Sequence, residues 1–133
     1  MTEMSLEHRM TLTKATMSIL DSWKLGQEEM STVLGLPEKV RARGFQKFRS
    51  YEPFPDNETV HRRVDYLLKI AGALHTTYPT NRTMGGRWLR QTHRRFGCAT
   101  LSVMLKDGEN GLVAVLAELD CTFCWDLSGS KAS

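Results

Sequence analysis

An all-α protein is the fold class this sequence predicts, and three observations carry the prediction. Apolar residues recur at helical rather than alternating spacing along most of the chain. Glycines and prolines fall between the periodic stretches. No Asn-Gly or Asp-Gly turn sits between runs of alternating β-branched residues, so no hairpin is expected. At 133 residues, 41% hydrophobic and 25% charged, the chain is long enough to bury a core without disulfide or metal staples.

The elements follow in order. Leu12, Ile19, Leu20 and Trp23 share one face of a first helix, which Gly26 is expected to close. A short helix, "QEEMSTVL", carries Glu28 and Glu29 where carboxylates favour the positive end of the dipole, and Gly35 stops it. Pro37 suits the opening of a third helix, "EKVRARGFQKFRS", rich in Lys39, Arg41, Arg43, Lys47 and Arg49. The two prolines of "YEPFPDNE" exclude a helix there and read as a linker. Asp56 or Asn57 caps the longest helix, whose Val60, Val64, Leu67, Leu68, Ala71 and Leu74 make one apolar stripe ending near Pro79. It is the expected spine of the fold. A short helix around Trp88 and Leu89 comes next, then "ATLSVMLKDG" and "GLVAVLAELD" separated by a glycine-bearing turn. The closing "LSGSKAS" is small and polar and is expected to be mobile.

Composition bounds the function. No apolar run approaches the ~20 residues of a membrane span, and the charged opening "MTEMSLEHRM" is unlike an export signal. Three cysteines, an odd number, suit a reduced cytoplasm. Net charge is +3, distributed as −3 over residues 1–38, +9 over 39–95 and −3 over 96–133. A basic middle between acidic ends suits a phosphate backbone or an acidic protein surface, or is simply a solvated face.

Catalytic chemistry finds no foothold. Cys121 and Cys124 have Cys-x-x-Cys spacing, but the histidines at 8, 61, 75 and 93 offer no paired spacing to complete a zinc site. The pair follows an apolar helix near its C-terminal end, where the dipole opposes a thiolate, so packing is the expected role. No nucleophile elbow, phosphate loop or zinc-protease motif is present. Asp65, Asp107, Glu118 and Asp120 read as solvated carboxylates. A non-enzyme with no cofactor and no metal is expected, which leaves binding as the class of function.

"QEEMSTVLGLPEKVRARGFQKF" has the outline of a helix-turn-helix, with Ser31 at the helix crossing and Gly35 in the turn. Lys39, Arg41, Arg43 and Lys47 would then lie on the recognition helix against phosphates and guanine edges. The register is shifted, because Arg41 stands where an apolar residue is usual and Val40 comes one place early. Two packed helices with a basic outer face are the alternative.

From about residue 82 onward, "RWLRQTHRRFGCATLSVMLKDGENGLVAVLAELDCTFCW" resembles the toxin-binding domain of the Xre/MbcA/ParS antitoxin family. Trp88-Leu89, Phe96-Gly97, "LSVML", Asp107-Gly108 and the helix from Gly111-Leu112 to Leu119-Asp120 carry the resemblance. "ILDSWKLGQEEMSTVLGLP" and "RRVDYLLKIAGALHTTYPTN" resemble the same family's N-terminal part. The chain departs from the family at His93 and Thr100, where members usually have an asparagine and a helix-opening proline. The resemblance implies an Xre-like helix-turn-helix and dimerisation region over 1–55, packed on a toxin-binding domain over 56–133 with a C-terminal arm.

It also implies a type II antitoxin: a cytoplasmic homodimer, within a larger complex, that sterically inhibits a RES-domain toxin consuming NAD or transferring ADP-ribose, and that can repress its own operon by binding operator DNA. Trp88, Arg90, Arg94, Arg95, Phe123, Trp125 and Asp126 are the expected toxin contacts. Phe123 and Trp125 are anchors of the type that dominates interface energies. A core role for Trp125, and pairing of the arginines within the protein, are the alternatives. A stand-alone helix-turn-helix transcriptional regulator is the rival function.

Overall fold

In a computed structural model, residues 5–37, 40–79, 83–94 and 96–128 are described, with side chains as far as Leu119. Seven helices run in order among them: α1 (Leu6–Ser22), α2 (Gln27–Leu34), α3 (Ala42–Ser50), α4 (Glu58–Thr77), α5 (Met84–Arg90), α6 (Thr100–Lys106) and α7 (Gly108–Ser128). The helical fold class predicted from periodicity is therefore what the structure has. One exception interrupts it: β1 (Thr92–His93) pairs antiparallel with β2 (Cys98–Ala99). Strands of two residues are too short for alternation to be read. Gly97, at φ +71°, closes the loop, with the Phe96 and Gly97 amides both donating to the His93 carbonyl.

α4 is the spine. Asn57 caps it by accepting from the Thr59 and Val60 amides, and its stripe of Val60, Val64, Leu67, Ile70 and Leu74 is buried. Ile70 replaces Leu68 and Ala71 of the expected stripe, both of which are half-buried. α1, α2, α5 and α7 pack on this helix. α7 also packs on α6, with Leu112, Val115 and Leu119 buried. Their approach depends on Gly111, where a Cβ would collide with the Val103 carbonyl oxygen.

Four expectations are corrected. α1 is closed by Lys24, at φ +60°, rather than by Gly26, which is the N-cap of α2 and donates its amide to Glu29 Oε1 at 2.8 Å. α3 opens at Ala42, not after Pro37, because Leu36 and Val40 dock on the core. Val40 Cγ1 lies 2.6 Å from where a Cβ on Gly44 would stand, so the residue before the helix folds over its first turn. The connector between α2 and α3 is thus residues 35–41, longer than the tight turn of a compact two-helix reader, and α3 packs chiefly on α1. The "YEPFPDNE" stretch is non-helical as expected up to Asn57, with Glu58 opening α4, yet it is no free linker: Phe54 is 5% exposed and meets Phe48 edge-on at 4.9 Å. Its amide donates to Thr13 Oγ1, while Arg9 Nη2 donates to its carbonyl. Residues on both sides of position 55 join one core cluster. Finally, α7 continues without a break through Asp120 to Ser128, where an arm after the last helix was expected. No glycine or proline stands between Asp120 and Ser128 to stop it.

If Phe54 anchors the strap as a core residue, Phe54→Ala will lower the unfolding free energy by about 3 kcal/mol in urea titration. A loss of under ~0.5 kcal/mol would make the segment a true linker.

Candidate functional site

Two sets of residues stood out in the sequence, and the structure separates their members into those committed to the fold and those facing solvent. Among the expected toxin contacts, Trp88 is 8% exposed, in the core cluster, with its indole edge-on to the His93 ring at a centroid distance of 4.5 Å. His93 in turn faces Phe96 at 6.3 Å. Trp88 is therefore a packing residue, not an exposed anchor.

Arg90 is exposed, yet it is bonded within the fold. Its Nη1 donates to the Trp23 carbonyl at 2.7 Å and to Gly86 O at 3.2 Å, and Nη2 donates to Lys24 O at 3.1 Å. α1 has no basic residue in its last turn, so the cation that favours its negative end comes from α5. The same bonds hold the left-handed turn at Lys24, a conformation that costs a non-glycine residue roughly 1 kcal/mol. Close packing assists: a Cβ on Gly86 would stand 3.4 Å from Trp23 Cα. Of the others, Arg94 is exposed. Arg95 lies outside the described residues, as do the side chains of Phe123, Trp125 and Asp126 and those of Cys121 and Cys124. The residues named for toxin binding therefore do not converge on one described surface.

On the basic side, Lys39 lies outside the described residues. Arg41 is the exposed N-cap of α3, Arg43 is exposed, and Lys47 is half-buried one turn further on. None of these three forms an ion pair among the described residues. No acidic residue lies in the first turn of α3, and its N-cap makes no side-chain hydrogen bond, so cations crowd the positive end of the dipole. Arg49 behaves differently. Nε and Nη2 grip the two oxygens of Asp21 at 2.8 and 2.7 Å, fixing α3 to α1. That hydrogen bond, opposed by partial burial and aided by the charge of Asp21, holds the guanidinium pKa above its ordinary value.

No protein-family model matches the chain, and no curated protein matches it either.

Arg63 is the residue that the sequence reading missed. From α4, its Nη1 donates to Thr32 O, an end carbonyl of α2, at 2.9 Å. Two left-handed glycines make room for the guanidinium: a Cβ on Gly35 would stand 2.9 Å from Nε, and one on Gly108 would stand 3.0 Å from Nη2. α2 carries no base in its own last turn, so α4 supplies one. Nothing local in "HRRVD" announces this, since the partners are distant in sequence. Arg41 and Arg63 both line an open cleft of about 830 Å³ beside α2 and the connector. Another cleft, of about 430 Å³, lies among Ile19, Trp23, Leu74, His75 and Tyr78 and contains none of the residues singled out for binding. No group of three or more metal-ligating side chains occurs among the described residues.

Arg90→Met is expected to cost about 1.5 kcal/mol in urea unfolding, the loss of its charged hydrogen bonds to the Trp23, Lys24 and Gly86 carbonyls. Arg94→Met, at another exposed position, should change stability by less than ~0.5 kcal/mol. Equal effects of the two would show that the bonds of Arg90 do not hold the α1–α2 turn.

Proposed function

We propose that this chain is a type II antitoxin that binds a RES-type toxin and blocks its NAD-binding site sterically, through the end of α7. The resemblance carried by residues from about 82 onward motivates the reading. The observation that supports it is the continuity of α7: the segment assigned to the toxin extends an element anchored by Leu112, Val115 and Leu119 against α4 and α6. Beyond Asp120 the helix adds eight residues, about 12 Å at the usual rise. A helix that is fixed at its base and includes positions 123, 125 and 126 has a smaller ordering cost on binding than a flexible arm. The antitoxin acts as a cytoplasmic homodimer within a larger toxin–antitoxin complex.

The rival reading is a stand-alone transcriptional regulator, favoured by exposed Arg41 and Arg43 and half-buried Lys47, which form no ion pair among the described residues. It requires duplex binding that falls with salt and with neutralisation of those charges, independent of residues 121–128. The length of the 35–41 connector weighs against it.

The deciding experiment is growth of cells expressing a RES-domain protein encoded beside this gene, with and without this chain. The full chain is expected to restore growth. Phe123→Ala with Trp125→Ala, which leaves the backbone of α7 intact, is expected to abolish rescue at equal protein abundance. Rescue by the double variant would remove the end of α7 from the interface, and failure of the full chain would reject the antitoxin.

A further inference from the structure

The outer flank of α3 ends in a residue that neither reading above uses, Tyr51. Arg43, Lys47 and Tyr51 are spaced four residues apart, each about 6 Å further along the helix axis. Tyr51 is the C-cap of α3, where the backbone leaves helical geometry at φ −147°, but its amide still donates to Lys47 O at 2.8 Å, which keeps it one turn beyond the lysine. Tyr51 is 68% exposed, although it follows Phe45 and Phe48, which are buried. An aromatic ring left in water at the end of a cationic flank is apolar area that the fold itself does not use.

We propose that this flank binds single-stranded nucleic acid, with Arg41, Arg43 and Lys47 neutralising phosphates and Tyr51 stacking on an unpaired base. Charge complementarity selects a polyanion, because α3 contains no acidic residue. Of the nearby acids, Asp21 is held by Arg49, and Glu52 is exposed on the strap beyond Tyr51. The choice of single strand over duplex rests on two facts. A duplex offers no free base face to Tyr51, whereas stacking platforms beside basic grooves are how proteins hold unpaired strands. The long 35–41 connector and the packing of α3 on α1 also differ from the tight two-helix unit that lowers a helix into the major groove. The proposal uses the same cations as the regulator reading but does not depend on the antitoxin reading.

The test is fluorescence anisotropy of the full chain with a short labelled oligonucleotide of mixed sequence, once as single-stranded DNA or RNA and once as its duplex, over a salt series. The single strand is expected to bind more tightly. Tyr51→Ala should weaken it about tenfold, Tyr51→Phe should not, and neither should shift the melting curve, since the ring is exposed. Arg43→Gln with Lys47→Gln should flatten the salt dependence by about 0.7 per charge removed. Preference for the duplex, or Tyr51→Ala binding as tightly as the native chain, overturns the proposal while leaving the regulator reading standing. Binding to neither form overturns both.

Discussion

Cations on one helix closing the C-terminal ends of others is the constraint on which this small fold depends. α1 and α2 both end without a basic residue in the last turn. Their carbonyls are met instead by Arg90 from α5 and Arg63 from α4, across sequence separations of 31 to 67 residues. Such bonds to a charged donor are stronger than neutral ones and specify direction as well as proximity. They reinforce helix ends that the left-handed residues Lys24 and Gly35 already turn, and so hold the α1–α2 turn and the end of α2 against α5 and α4. With Arg49 on Asp21 and Arg62 on Glu109 joining α3 to α1 and α4 to α7, much of the basic middle of the sequence is structural.

That use of arginine changes how the surface is read. A segment of +9 looks like one electrostatic feature, but the structure divides it. The side chains that bridge helices cannot also be loose partners for phosphate or for an acidic protein, whereas Arg41, Arg43 and Lys47 on α3 have no such duty. Not every local pair is structural in the same sense: His61 on Asp56, at the exposed start of α4, holds that carboxyl below its usual range by a hydrogen bond without tying elements together.

The sequence made the helical class, the spine and the bounds of α2 legible, because these depend on periodicity and on local stop signals such as Gly35. It made Trp88 look like a surface residue and Arg90 look free for a partner, since aromatic and basic side chains adjacent in sequence resemble an interface until their contacts are known. Trp88 meets His93 across a hairpin too short to leave an alternating pattern, and Arg90, although exposed, meets carbonyls just past the end of α1. The late opening of α3 was illegible for a related reason: Pro37 marks where a helix could begin, but docking of Leu36 and Val40 decides where it does. Tyr51 was visible in the pattern, four residues after Lys47, but was absorbed into the proline-rich stretch that follows it.

Gly35, Arg63 and Gly108 come from α2's end, α4 and the start of α7, yet they form one steric unit, with a guanidinium filling the space that two missing side chains leave. In evolutionary terms the three positions are not free to drift separately. A side chain gained at either glycine would meet both a left-handed backbone and the arginine, while loss of the arginine would leave a void and remove the only charged donor to the Thr32 carbonyl among the described residues. Lineages that change one of them should be found to have changed the others, so this contact ought to be visible as covariation long before the helices around it are recognisably alike.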